Sequence, residues 1–204
     1  NTIYYVRIRG TNEAGTGAYT ASQNITTKGI NTWDGSEGTA WNTAGNWSMN
    51  QVPVSGDYVT IAATSNDPQI NDGIGASCLD LTVEADATLT IAHGGSLLYT
   101  GTLTNNGTIN MEMSVTDGEW HLISVPTAGI TAETFLGDYL QYYDETTPEW
   151  VDIEDTETPL NTNMGYALWA TGDKSSYTFS GTPLTGEQTT TVTLSDNFSN
   201  DEGN

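Results

Sequence analysis

The stretch "CLDLTVEADATLTIAHGGSLLYTGTLTNNGTINM", residues 78–111, decides how this chain folds. Apolar residues come in short groups, Leu79/Leu81/Val83, Leu89/Ile91, Leu97, Leu103 and Ile109, and the breaks between them are Ala-Asp, Gly-Gly and Asn-Asn-Gly turns. A repeat of about eight residues is too short for a helix and too regular for loops. It predicts stacked strands of a solenoid, each burying its apolar side against the next turn of chain.

Upstream, "WDGSEGTAWNTAGNWSMNQVPVSGDYVTI" (33–61) crowds Trp33, Trp41 and Trp47 together and ends in a Gly-Asp turn leading into an apolar strand. A solenoid has an open end that must be covered, and the three indoles are the expected cap. Downstream, from "DGEWHLISVPTAG" (117–129) onward, strand-like pieces recur at 121–125, 139–143, 165–170, 176–179 and 189–194. Long amphipathic helical runs are absent, and the one helical candidate is a turn or two around "ITAETFLGDYLQYY" (130–143). The fold class expected is all-β.

The first twenty residues read as a hairpin. Tyr4, Val6 and Ile8 alternate with Tyr5, Arg7 and Arg9, as in a half-buried antiparallel strand, and a Gly-rich turn leads to a second strand in "YTASQNITT" (19–27). A lone hairpin is marginal in water. Tyr4, Val6 and Ile8 are therefore expected to pair with missing strands or with another subunit.

Charge excludes several function classes. Against 26 Asp and Glu stand 4 Lys and Arg, a net charge of −22. Arg7, Arg9 and Lys28 fall beside a single acid, Glu13, so residues 1–28 carry +2 and the rest −24. Phosphate contacts need clustered cations, which argues against nucleic acid, and an anionic membrane surface would repel the chain. No run of about 18 apolar residues occurs, so membrane insertion is not expected. Cys78 is the only cysteine and reads as a small buried hydrophobe.

Catalytic chemistry finds no constellation. His93 sits at a Gly-Gly turn and His121 in a strand, with no nucleophile elbow and no zinc-ligand spacing. No catalytic residues are assigned, and the chain is not expected to be an enzyme. Calcium is the one cofactor the residues leave open: Asp67, Asn71 and Asp72, with Asn66, offer hard oxygen ligands in "SNDPQINDG" (65–73), although turn chemistry explains the same residues and is preferred. The acidic stretch "DETTPEWVDIEDTETP" (144–159) reads as a solvated loop. Tyr142, Tyr143 and Trp150, beside acids, are the candidates for an exposed aromatic patch that meets carbohydrate or a partner.

Three resemblances add to this reading. Tyr4, Val6, Ile8, Gly10, Asn12 and Gly15 resemble the last two strands of a fibronectin type III domain, which implies that residues 1–28 are the end of such a sandwich, with a corner hydrogen bond from the Tyr4 hydroxyl. Trp41, Asn46, Trp47, Val52, Pro53, Gly56, Asp57, Val59 and Ile61, followed by Leu89, Thr90, Ile91, Gly94, Gly95, Leu97, Asn105, Gly107 and Ile109, resemble a short right-handed β-helix module of Bacteroidota cell-surface proteins, here residues 29–112. Trp120, Ile123, Ser124, Pro126, Gly165, Tyr166, Trp169, Phe179, Gly181 and Gly186 are similar to the jelly-roll-like β-sandwich that follows such modules, here 113–204 and incomplete at its C-terminal end.

Together the resemblances imply an extracellular, cell-surface protein exported by a type IX system. The expected role is a non-catalytic structural or adhesive segment, stalk- or filament-forming, whose partners are neighbouring copies, further domains of the same protein, or surface glycans. The alternative is the carbohydrate-binding accessory region of a large secreted glycosidase or peptidase.

Overall fold

The structure is a computed structural model that describes residues 2–172 and 176–184, the side chains of Thr2 and Thr26 excepted; the strand expected over 189–194 and Gly186 lie outside the described residues. Every regular element described is a strand or a short 3-10 turn, so the all-β expectation holds.

β1 (Thr2–Val6) and β4 (Gln23–Thr27) form a two-stranded antiparallel ribbon, capped by the tight pair β2 (Thr11–Asn12) and β3 (Gly15–Thr16). Gly15 takes a φ of 128°, a backbone conformation that a side chain would strain.

The chain then coils. β5 (Ile30–Trp33), β6 (Tyr58–Ile61), β9 (Asp80–Val83) and β12 (Leu103–Asn105) stack in parallel as one wall. A second wall is begun by β7 (Gln69–Ile70), β10 (Thr88–Ile91) and β13 (Thr108–Ser114), and a third by β8 (Gly75–Cys78) and β11 (Ser96–Tyr99), again all parallel. Paired positions lie 22 residues apart from Tyr58 to Asp80, 21 from Gly75 to Ser96 and 20 from Thr88 to Thr108. Each turn of the coil therefore takes three of the short apolar groups that the sequence displays.

Strand alternation explains what each wall buries. Val59, Ile61, Leu81, Val83, Ile70, Leu89, Cys78 and Ile109 point inward and are at most 2% exposed. Outward, Thr32, Thr60, Thr82 and Thr104 stack in register, a ladder of β-branched residues suited to an outer strand face. Gly107 is required by close packing, because a Cβ there would run into the carbonyl oxygens of Glu84 and Ala87.

The 34–57 loop closes one end. Thr39 and Trp41 exchange backbone hydrogen bonds with Gln69, laying the loop against β7. Trp33, Trp41 and Trp47 are buried to 2% exposure or less and meet edge to face, Trp33 with Trp47 at 5.0 Å and Trp41 with Trp47 at 4.7 Å. Trp47 donates its indole N–H to the Trp41 carbonyl and Trp33 to that of Asn66, while the buried Asn46 amide bridges Glu37 and Ala40.

At the other end β13 outruns the coil. Its first half pairs in parallel with β10, and from Asn110 to Ser114 it also pairs antiparallel with β18 (Ser176–Ser180). Met111 and Met113 pass into a second core with Tyr177 and Phe179. An antiparallel sheet in the order β14 (Trp120–Ile123), β17 (Tyr166–Trp169), β15 (Tyr139–Asp144), β16 (Glu149–Asp152) covers that core with Ile123, Leu140, Tyr166 and Leu168, and Phe135 joins them from the 3-10 turn Ala132–Phe135.

One expectation is corrected here. The acidic stretch 144–159 is not wholly a solvated loop, since Glu149–Asp152 is strand β16. Val151 packs opposite Tyr142, and Asp144 folds back on the turn, accepting from the Thr146 amide at 2.8 Å and from the hydroxyls of Thr146 and Thr147 at 2.7 and 3.0 Å. Those bonds hold the Asp144 carboxyl below its ordinary value and make a charged residue the anchor of a hairpin.

Candidate functional site

The four-stranded sheet β14–β17–β15–β16 has one face on the second core and one face open. Register places Trp120, Trp169 and Tyr139 in one cross-strand row of the open face, Leu122, Ala167, Gln141 and Asp152 in the next, and Tyr143 and Trp150 in the third. Residues four apart on a strand are about 13 Å apart, so Tyr139 and Tyr143 mark two separate aromatic ends of one surface.

Both ends are organised. Trp120 and Trp169 meet at 5.6 Å with an interplanar angle of 63°, and Tyr143 and Trp150 at 5.3 Å and 67°. Edge-to-face pairs hold aromatic rings in fixed orientations. Tyr139 is 65% exposed, Trp120 51%, Trp150 49% and Leu122 82%. Between the ends, Gln141 donates its side-chain amide to Asp152 at 2.7 Å, leaving the carboxylate's remaining lone pairs turned to solvent. A shallow cleft of about 360 Å³ lies among Trp120, Trp169, Tyr139, Gln141 and Asp152.

Of the residues singled out from sequence, Tyr143 and Trp150 stand together on this face. Tyr142 does not join them: strand alternation turns it to the opposite side, half-buried against the second core near Tyr166 and Met164. Trp120, Leu122, Tyr139 and Trp169 were not foreseen as surface candidates. Their period-two placement was readable, but the strand order that brings them beside Trp150 was not.

Tyr4, Val6 and Ile8 stand 55%, 39% and 69% exposed, and on the other face Ile3 and Tyr5 are 54% and 71% exposed. Both faces of the ribbon are therefore open. The Tyr4 hydroxyl makes no hydrogen bond among the described residues, so the corner contact implied by the fibronectin resemblance is not seen there. Arg7 and Arg9 stack over Tyr19, at 5.1 and 4.8 Å from its ring centre. Lys28 clips the ribbon's end to the coil, with its ammonium 2.7 Å from Asp57 Oδ1 and 2.6 Å from the Gly56 carbonyl oxygen. Burial opposes ionisation of Asp57, but the Lys28 hydrogen bond, the Val54 amide and the Lys28 charge outweigh it and hold the carboxyl below its ordinary value.

The calcium candidates sit on either side of a short strand. Strand β7 separates Asp67 from Asn71 and Asp72, and Asp72 lies against Gly94 of the next turn. Asn66 is occupied structurally, donating to the Gly35 carbonyl and accepting from Trp33. Among the described residues no three His, Cys, Asp or Glu side chains cluster as a metal site would require. The two histidines serve the backbone: His93 Nδ1 accepts from the Ser114 amide, and His121 Nε2 lies 2.8 Å from the Thr116 carbonyl oxygen. Cys78 is fully buried, and burial, with Asp80 and Asp57 nearby, pushes its thiol up to about 11.

Residues 32–116 match the model of a family described as Domain of unknown function (DUF8693). The match runs from within β5 to just past β13, over the coil and its tryptophan cap, and stops short of the sheet that carries the aromatic face. No curated protein and no solved structure matches the chain.

Proposed function

We propose that this chain is a non-catalytic structural and adhesive segment of an exported cell-surface protein, and that its first hairpin is completed by strand pairing with a neighbouring copy or a further domain. The observation that carries this reading is the ribbon itself, whose apolar side chains are open on both faces. An apolar side chain left in water forgoes about 1.5–3 kcal/mol of burial. Among the described residues neither β1 nor β4 pairs with a third strand, so each offers an edge for strand addition. The coil supplies the stiff body that a stalk needs, with a capped end and strands joined wall to wall.

Light scattering across a concentration series tests it. Association is expected to rise with concentration and to disappear in a Val6→Lys, Ile8→Lys double variant that keeps its melting temperature. A chain that stays monomeric at high concentration while its ribbon amides are protected from exchange would sink the proposal.

A second reading has an observation of its own. The exposed aromatic face of the β14–β17–β15–β16 sheet favours a carbohydrate-binding region attached to a larger secreted glycosidase or peptidase.

A further inference from the structure

The open face joins exposed aromatic rings to a polar pair. Its aromatic rings sit at two ends with a hydrogen-bonded amide and carboxylate between them. A protein partner burying this face would have to bring a cation of its own to meet the desolvated Asp152. A chain of sugar rings would not, because its hydroxyls donate to a carboxylate and accept from an amide while its C–H faces lie on aromatic rings. The separation of the two ends exceeds what one monosaccharide spans and suits a short run of linked sugars.

Charge selects among sugars. Among the described residues the cations are Arg7, Arg9 and Lys28, and none belongs to the four strands of the sheet. Asp152 lies within the face, and the whole chain carries −22. Uronic or sulfated chains would meet like charge, with no guanidinium in the four strands to pair them.

We infer that the outer face of the β14–β17–β15–β16 sheet binds a neutral polysaccharide, with Trp120, Trp169 and Tyr139 stacking on one part of the chain, Tyr143 and Trp150 on another, and Gln141 and Asp152 reading hydroxyls between. The inference rests on the carbohydrate reading and names its ligand class; it does not depend on the hairpin.

Affinity electrophoresis of the full chain through gels containing xyloglucan, galactomannan, xylan or hydroxyethylcellulose, with polygalacturonate and alginate as acidic counterparts, tests it. Retardation is expected in at least one neutral gel and in neither acidic gel. Trp120→Ala and Trp150→Ala should each weaken retention at least about tenfold, the scale of an aromatic anchor. Tyr5→Ala, a still more exposed aromatic on the ribbon and outside the sheet, should leave it unchanged. Because Trp120 and Trp150 are exposed, near-ultraviolet circular dichroism and the melting temperature should confirm that the variants fold. Retardation by acidic gels alone would overturn the ligand class while leaving the carbohydrate reading intact. Retardation by none would overturn both. Neutral retention indifferent to both tryptophan changes would overturn the face.

Discussion

The coil and the ribbon before it are made of the same local material and meet opposite fates. Both alternate apolar and polar residues with period two, and both turn on glycine and asparagine. Yet Ile61, Leu81 and Val83 are completely buried, whereas Tyr4 and Ile8 are more than half exposed. Alternation fixes which side chains share a face; it does not supply the layer that covers them. In the coil that layer is the opposing wall of the same turn. The ribbon has no opposing wall among the described residues.

The sharpest way to break this contrast is truncation. Leu81→Ala removes a side chain sealed inside the coil and should cost about 2–5 kcal/mol in urea unfolding. Ile8→Ala in the ribbon should change stability by no more than about 0.5 kcal/mol. Equal losses would mean that the ribbon is covered after all.

Glycine substitutions sharpen the same comparison at smaller scale. Gly107→Ala forces a methyl group into two backbone carbonyl oxygens and should cost about 1–3 kcal/mol, read from the urea midpoint. Gly10→Ala, where a Cβ meets nothing within 4 Å, should be close to neutral. Thiol chemistry reports burial directly. Cys78 should resist Ellman's reagent at pH 8 in the folded chain and react once urea unfolds it. Because its folded pKa is raised, the neutral thiol favours the folded state at pH values below about 9, and that contribution should fade as pH climbs through about 11.

The smallest expected effect lies at the joint between the two regions. Asp57 has a lowered folded pKa, so its contribution is present above its ordinary value of 3.8 and is lost as pH falls through the folded value. Lys28 and Asp57 are partly solvated, and Asp57→Asn should cost only about 0.2–1 kcal/mol near neutral pH, with the difference from wild type vanishing in acid. Melting temperatures of both chains between pH 2 and 7 would show the convergence.

The coil was largely legible because its signal is local. Leu81, Val83, Leu89 and Ile91 announce short strands, and Gly94, Gly95 and Gly107 announce where the chain must turn. The aromatic face was only partly legible because its signal is not local. Trp120, Tyr139, Trp150 and Trp169 come from four strands whose order 14-17-15-16 is set by tertiary pairing. Tyr142 was misplaced beside Tyr143 because neighbours in sequence are opposite in a strand. β16 was hidden by its charges: Trp150 and Val151 sit among acids whose hydrogen bonding only the folded hairpin reveals.

β13 carries a mechanical consequence. One uninterrupted strand is hydrogen-bonded to the coil on one flank and, further along, to β18 on the other. A load applied across this joint would act in shear on a backbone ladder instead of opening a flexible linker. The coil and the second core should thus yield together, as a single rupture in a pulling experiment, and a sugar held on the outer face would be tethered to a shaft with no slack.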